Sequence, residues 1–107
     1  MEMTLMKYSV LYPTSLEWID PKNDTVDVCV RFEDGQECTF VFTTPAHIVT
    51  MMKERGVSFL EPWIPFLYVE ELTNDNILDC LDAISDDQAM RNIYGADIIH
   101  LMDHWKP

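Results

Sequence analysis

Apolar and polar residues alternate most cleanly between Thr25 and Thr43. Val26, Val28, Val30 and Phe32 alternate with Asp27, Cys29 and Arg31, and Cys38, Phe40 and Phe42 alternate with Glu37, Thr39 and Val41. Period two over both runs predicts strands at 25–32 and 36–43, each with one apolar face. The turn between them decides the register. A two-residue Asp34-Gly35 loop would pair Phe32 with Glu37 and Val28 with Val41, mixing the faces. A three-residue loop, Glu33-Asp34-Gly35, puts Gly35 at the left-handed position of a bulged turn. It pairs Val30 with Cys38, Val28 with Phe40 and Val26 with Phe42, and it sets Arg31 opposite Glu37. Only this register gathers the apolar side chains on one face, so it is the expected one.

After the hairpin the period changes to that of a helix. Thr44 and Pro45 fit the N-cap and first helical position, and Gly56 fits the left-handed stop, so a helix is expected over 45–55. Its buried arc would be Ile48, Val49, Met51 and Met52, with His47, Thr50, Lys53 and Glu54 outside. Phe66 to Glu70 reads as a short strand. If it runs parallel to its partner, the crossover through helix 45–55 should be right-handed. Thr73 caps a helix over 74–84 whose Ile77, Leu78, Cys80, Leu81 and Ile84 share one arc, with Asp75, Asp79 and Asp82 opposite. Ser85-Asp86-Asp87-Gln88 matches a capping box for a further short helix ending near Gly95. A last helix over 96–105 competes with a strand through Asp97-Ile98-Ile99. At the other end, strands are expected at 6–12 and, briefly, at 16–19. The resulting fold class is α+β: an antiparallel, twisted sheet of four or five strands, with two to four helices mainly on one face.

Composition bounds this picture. The 107 residues suit a single domain over 1–107, and a 48% hydrophobic content excludes disorder despite a net charge of −12. The start, MEMTLMK, lacks the apolar core and cleavage site of a signal peptide. The longest apolar run, 57–69, is broken by Glu61, Pro62 and Pro65 and is too short to span a bilayer. Anionic lipid and nucleic acid are both disfavoured by so acidic a chain. Cys29, Cys38 and Cys80 are odd in number, widely spaced and without a C-x-x-C pair. They read as reduced thiols, and the expected location is the cytoplasm.

The order of these elements resembles a group of short, uncharacterised bacterial proteins. The likeness rests on Val26 to Gly35, on Phe40-Val41-Phe42-Thr43-Thr44-Pro45, on Pro62-Trp63-Ile64-Pro65-Phe66 and on Val69-Glu70-Glu71-Leu72-Thr73. That group shares the hairpin, the Thr-Pro helix start, the P-x-x-P-F segment and the Leu-Thr helix start. The resemblance implies the α+β fold and a bacterial origin. The group has no assigned activity, so no functional residue is carried over.

Charge supplies the main candidate chemistry. Residues 56–90 contain no Lys or Arg and carry eight acids: Glu61, Glu70, Glu71, Asp75, Asp79, Asp82, Asp86 and Asp87. Asp75, Asp79, Asp82 and Asp86 fall at i, i+4, i+7 and i+11, one face if the helix continues that far. Like charges at i, i+4 cost about 0.2–0.5 kcal/mol per pair, and the macrodipole offsets only Asp75. Such a face is either a solvated surface or a docking surface for a basic partner. The apolar segment 59–66 either plugs an end of the sheet or forms an exposed patch for association, and on such a patch Trp63 is the candidate anchor, since Trp is enriched in binding hot spots. His100 and His104, four apart, would share a helix face with Asp97 one turn before. Two imidazoles and a carboxylate suit zinc or iron, but no H-E-x-x-H is present, and a polar solvated face explains them as well. No phosphate-binding glycine loop or nucleophile–base constellation is legible, and no cofactor is implied.

The leading expectation is therefore a small, acidic, non-enzymatic protein that binds another protein, an immunity- or inhibitor-type partner of a basic target being the concrete form. The alternatives are a small-molecule or metal-binding protein, an enzyme among them, or a homodimeric accessory protein.

Overall fold

A computed structural model describes residues 7–60 and 65–97. The chain forms β1 (Tyr8–Leu11), a 3-10 turn (Leu16–Trp18), β2 (Thr25–Phe32), β3 (Glu37–Thr43), α1 (Pro45–Arg55), β4 (Phe66–Tyr68), α2 (Asn74–Ile84), α3 (Gln88–Tyr94) and β5 (Gly95–Asp97). The strands lie in the order β1-β2-β3-β4, and β5 also pairs with β3. The α+β class holds. The sheet is mixed, because β4 runs parallel to β3 along Val41–Thr43 while β5 runs antiparallel along Cys38–Phe40.

The hairpin adopts the three-residue turn. Val30 faces Cys38, Val28 faces Phe40, Val26 faces Phe42 and Arg31 faces Glu37. Gly35 has φ +92°, and its N–H donates to the Phe32 carbonyl at 3.0 Å. A side chain there would strain the backbone. The register places Val26, Val28, Val30, Phe32, Cys38, Phe40 and Phe42 in one buried layer, joined by Leu67, Val69 and Leu72 and covered by Ile77 and Leu81 of α2. Burying each of the phenylalanines contributes about 1.5–3 kcal/mol. Cys29 and Cys38 fall on opposite faces, and none of Cys29, Cys38 and Cys80 is in a disulfide.

The expected sheet is antiparallel throughout, whereas β4, reached through α1, runs parallel to β3, and three further expectations need correction. Leu16–Ile19 is not a strand. Ser15 caps a 3-10 turn by accepting from the Glu17 N–H, and Leu16 and Ile19, three residues apart, both turn toward the core. In a strand they would point to opposite faces, whereas i and i+3 coincide in a 3-10 turn. Ser85 is not the cap of α3. It is buried in the last turn of α2 and its hydroxyl donates to the Asp82 carbonyl, so Asp87 caps α3 and accepts from the Met90 N–H. Finally, helix α1 has the expected caps but buries none of its residues. Ile48, Met51 and Met52 are half-buried and Val49 is 46% exposed. The core takes its helical side chains from α2 and, at Tyr94, from α3, and none from α1. Polar bonds tie it to the Asp20–Asp24 turn instead. Thr44 donates to the Lys22 carbonyl at 2.7 Å, and Asn23 bridges His47 at 2.8 Å and Thr50 at 3.0 Å.

Gly95 opens β5, and the last helix expected from Ala96 starts instead as this strand, its remainder lying outside the described residues. A Cβ at Gly95 would meet the Arg91 carbonyl oxygen at 2.7 Å and Cys38 Cβ at 2.9 Å. Neither neighbour can give way, because one is backbone and the other belongs to the central strand. Gly95→Ala is expected to destabilise the protein by about 1–3 kcal/mol in urea denaturation, the cost of overpacking a tight contact. An unchanged midpoint would mean that β5 does not approach β3 this closely.

Candidate functional site

Helix α2 is fixed from inside and charged outside. Ile77 and Leu81 are fully buried, and Leu78, Cys80 and Ile84 pack half-buried against the same core. Their arc forces Asp75, Asp79 and Asp82 into solvent. Thr73 caps the helix by accepting from the Asn76 N–H at 3.2 Å, and Asp75 lies in the first turn where the macrodipole favours it.

The edge strand aligns this helix. The Tyr8 hydroxyl lies 2.5 Å from Asp82 Oδ1 and 3.2 Å from the Leu78 carbonyl, and the Tyr12 hydroxyl donates to Asn74 Oδ1 at 2.6 Å. Four residues of extended chain span roughly 13 Å, and eight residues of helix rise roughly 12 Å. The tyrosines therefore reach the two ends of one helix, and α2 runs antiparallel to β1. Sequence reasoning missed this pair. Its signal was a Tyr-x-x-x-Tyr strand opposite polar helix positions eight apart.

The four aspartates singled out above do not form one series. Asp75 and Asp79 are exposed and hold neither a hydrogen bond nor an ion pair among the described residues. Asp82 is exposed but serves as the Tyr8 acceptor. Asp86 lies beyond the end of α2, because the helix stops at Ile84. Beside them, α3 exposes Met90 and Ile93, the latter at 59%. Trp63, His100 and His104 lie outside the described residues, and Asp97 sits in β5 rather than on a helix. Among the described residues no three His, Cys, Asp or Glu side chains are grouped to hold a metal ion.

Cations go to other places. Lys22 pairs with Glu71 at 3.9 Å and Arg31 with Glu37 at 2.7 Å, both at the surface. Arg91 is only 3% exposed. Its guanidinium bonds Asp34 at 3.1 Å and Gln88 at 2.6 Å, and lies 4.5 Å from the Phe32 ring centre. This contact clamps α3 to the hairpin turn. The Gln36 N–H and then Arg91 hold the Asp34 carboxyl below its ordinary range. Burial pushes the Cys80 thiol up, which suits a small core side chain better than a nucleophile.

No family model matches the chain, and neither a curated protein nor a solved structure matches it.

Burial first, and the Asp82 carboxylate second, push the Tyr8 hydroxyl well above its ordinary value near 10. A raised pKa means that the folded state holds the proton more tightly than the unfolded state. The contribution is thus complete below pH 10 and is lost as pH rises above it. Tyr8→Phe is expected to cost about 1 kcal/mol at neutral pH. The gap to wild type should narrow as pH is raised above 10. Urea denaturation at both pH values reads this directly, and a constant gap would show that the hydroxyl is not held. Burial raises Tyr12 as well, but it titrates in both proteins and cancels in the difference.

Proposed function

We propose that this protein acts by binding a basic protein partner through the acidic face of α2, as an immunity- or inhibitor-type protein does. One observation carries the reading: Asp75 and Asp79 are aimed at solvent by a well-packed helix, and neither has an ion-pair partner among the described residues. Such a face attracts a basic surface over long range and sets its orientation. Met90 and Ile93 on the adjoining α3 add exposed apolar area of the kind that interface centres use. The role is non-enzymatic and cytoplasmic in this reading. Its partner is a protein rather than nucleic acid, whose phosphates the same carboxylates would repel.

The test is capture from the source cell with wild type and with Asp75→Asn/Asp79→Asn. Asp82 is left intact because it holds Tyr8. The wild type should retain a basic protein whose association slows about threefold to tenfold in the variant, and added salt should bring the wild type toward the variant rate. Equal recovery and equal rates for the two proteins would remove the proposal.

A further inference from the structure

Helix α1 carries a second surface, of opposite character. Ala46, Val49 and Lys53 stand at i, i+3 and i+7, one stripe of a helix, and all three are exposed. The helix holds Lys53 and Arg55 against a single acid, Glu54, in a chain of net charge −12. Its N-terminal end faces the opposite sign. Pro45 and Ala46 line an open groove together with Tyr68, Glu70 and Glu71. Lys22 lies in the same groove and pairs with Glu71 at 3.9 Å, while Glu70 holds no ion pair among the described residues. Along α1 the order is thus carboxylate, apolar stripe, ammonium.

That order is complementary to its own reverse. We propose that α1 pairs antiparallel with α1 of a second copy, about a two-fold axis near Val49 and Thr50. Ala46 to Lys53 spans roughly 10 Å, and the axis bisects it. Lys53 of each copy then lies at the Ala46 end of the other, against Glu70, so one contact is made twice. Val49 meets its own counterpart at the centre, with Met52 beside it, and Ala46 lets the backbones approach. A helix of 11 residues is too short to be stable by propensity alone, and this one buries none of its residues fully. The second copy supplies the missing apolar cover. Two such helices make a small contact; exposed Tyr68 borders the groove at the Ala46 end, and exposed Val57 and Phe59 follow the helix in the chain. The acidic face of α2 stays outside the contact, where two chains of this charge would repel.

Sedimentation equilibrium of the full chain, from micromolar to near-millimolar concentration, tests the pairing. Wild type should show a reversible monomer–dimer equilibrium. Val49→Asp should be monomeric throughout, with an unchanged far-ultraviolet spectrum and, at concentrations where wild type is itself monomeric, an unchanged urea midpoint, because Val49 lies outside the core. Lys53→Glu should weaken dimerisation about tenfold, and Lys53→Glu/Glu70→Lys should restore it. A wild type that stays monomeric at the highest concentration overturns the inference and leaves α1 to another occupant. A dimer that survives Val49→Asp, or a charge swap that fails to rescue, overturns it as well.

Discussion

The three-residue turn at Glu33-Asp34-Gly35 is the constraint on which the rest of this structure depends. It sets the register of β2 and β3, and the register decides that Val26, Val28, Val30, Phe32, Cys38, Phe40 and Phe42 share a face. Shifted by one residue, a strand would turn its apolar set to the other side. With the face fixed, the apolar arc of α2 has one place to go, and the aspartates of α2 have one direction to point. The same turn presents Asp34 to Arg91, so the loop that sets the register also anchors α3. A substitution of Gly35 would therefore disturb more than a loop.

Charge is distributed unevenly for a physical reason. A chain with 7 basic and 19 acidic residues cannot neutralise itself. The fold uses Arg91 inside, where a buried cation must have partners, and places Arg31 and Lys22 in surface pairs worth little. Asp75 and Asp79 of α2 are among the acids left over, in a segment that carries no cation of its own. Helix α1, by contrast, ends in Lys53 and Arg55, beside apolar residues that are half-buried or exposed. The two surfaces differ in sign and in character, so each suits a different kind of contact.

Much of the fold was legible because it follows from local rules. The hairpin, its register and the caps at Thr44, Gly56 and Thr73 all came from spacing and turn chemistry. The failures share a different cause. Leu16 and Ile19 obey a period of three that was read as extended chain. Ser85 and Asp87 both fit a cap, and only the packing of Ser85 chooses between them. Arg91 looked like an ordinary end to an acidic stretch, because burial of a cation depends on Asp34 and Phe32, more than 50 residues away. Most telling is α1, where the wheel gave an arc but could not say whether a core remained to receive it. The acidic face was read correctly in direction for Asp75 and Asp79. The bond from Tyr8 to Asp82 is long-range, and no helical spacing could reveal it.

The central claim is that the packing of α2 holds its carboxylates out in solvent at some expense to the fold. Asp79 tests it most directly, since it lies one turn from both Asp75 and Asp82 and bonds to neither. The account predicts that Asp79→Asn raises the unfolding free energy at low salt by about 0.2–0.5 kcal/mol, and that the gain fades as salt is added. A loss of stability at low salt would contradict it, because Asp79 would then be part of what holds the helix in place.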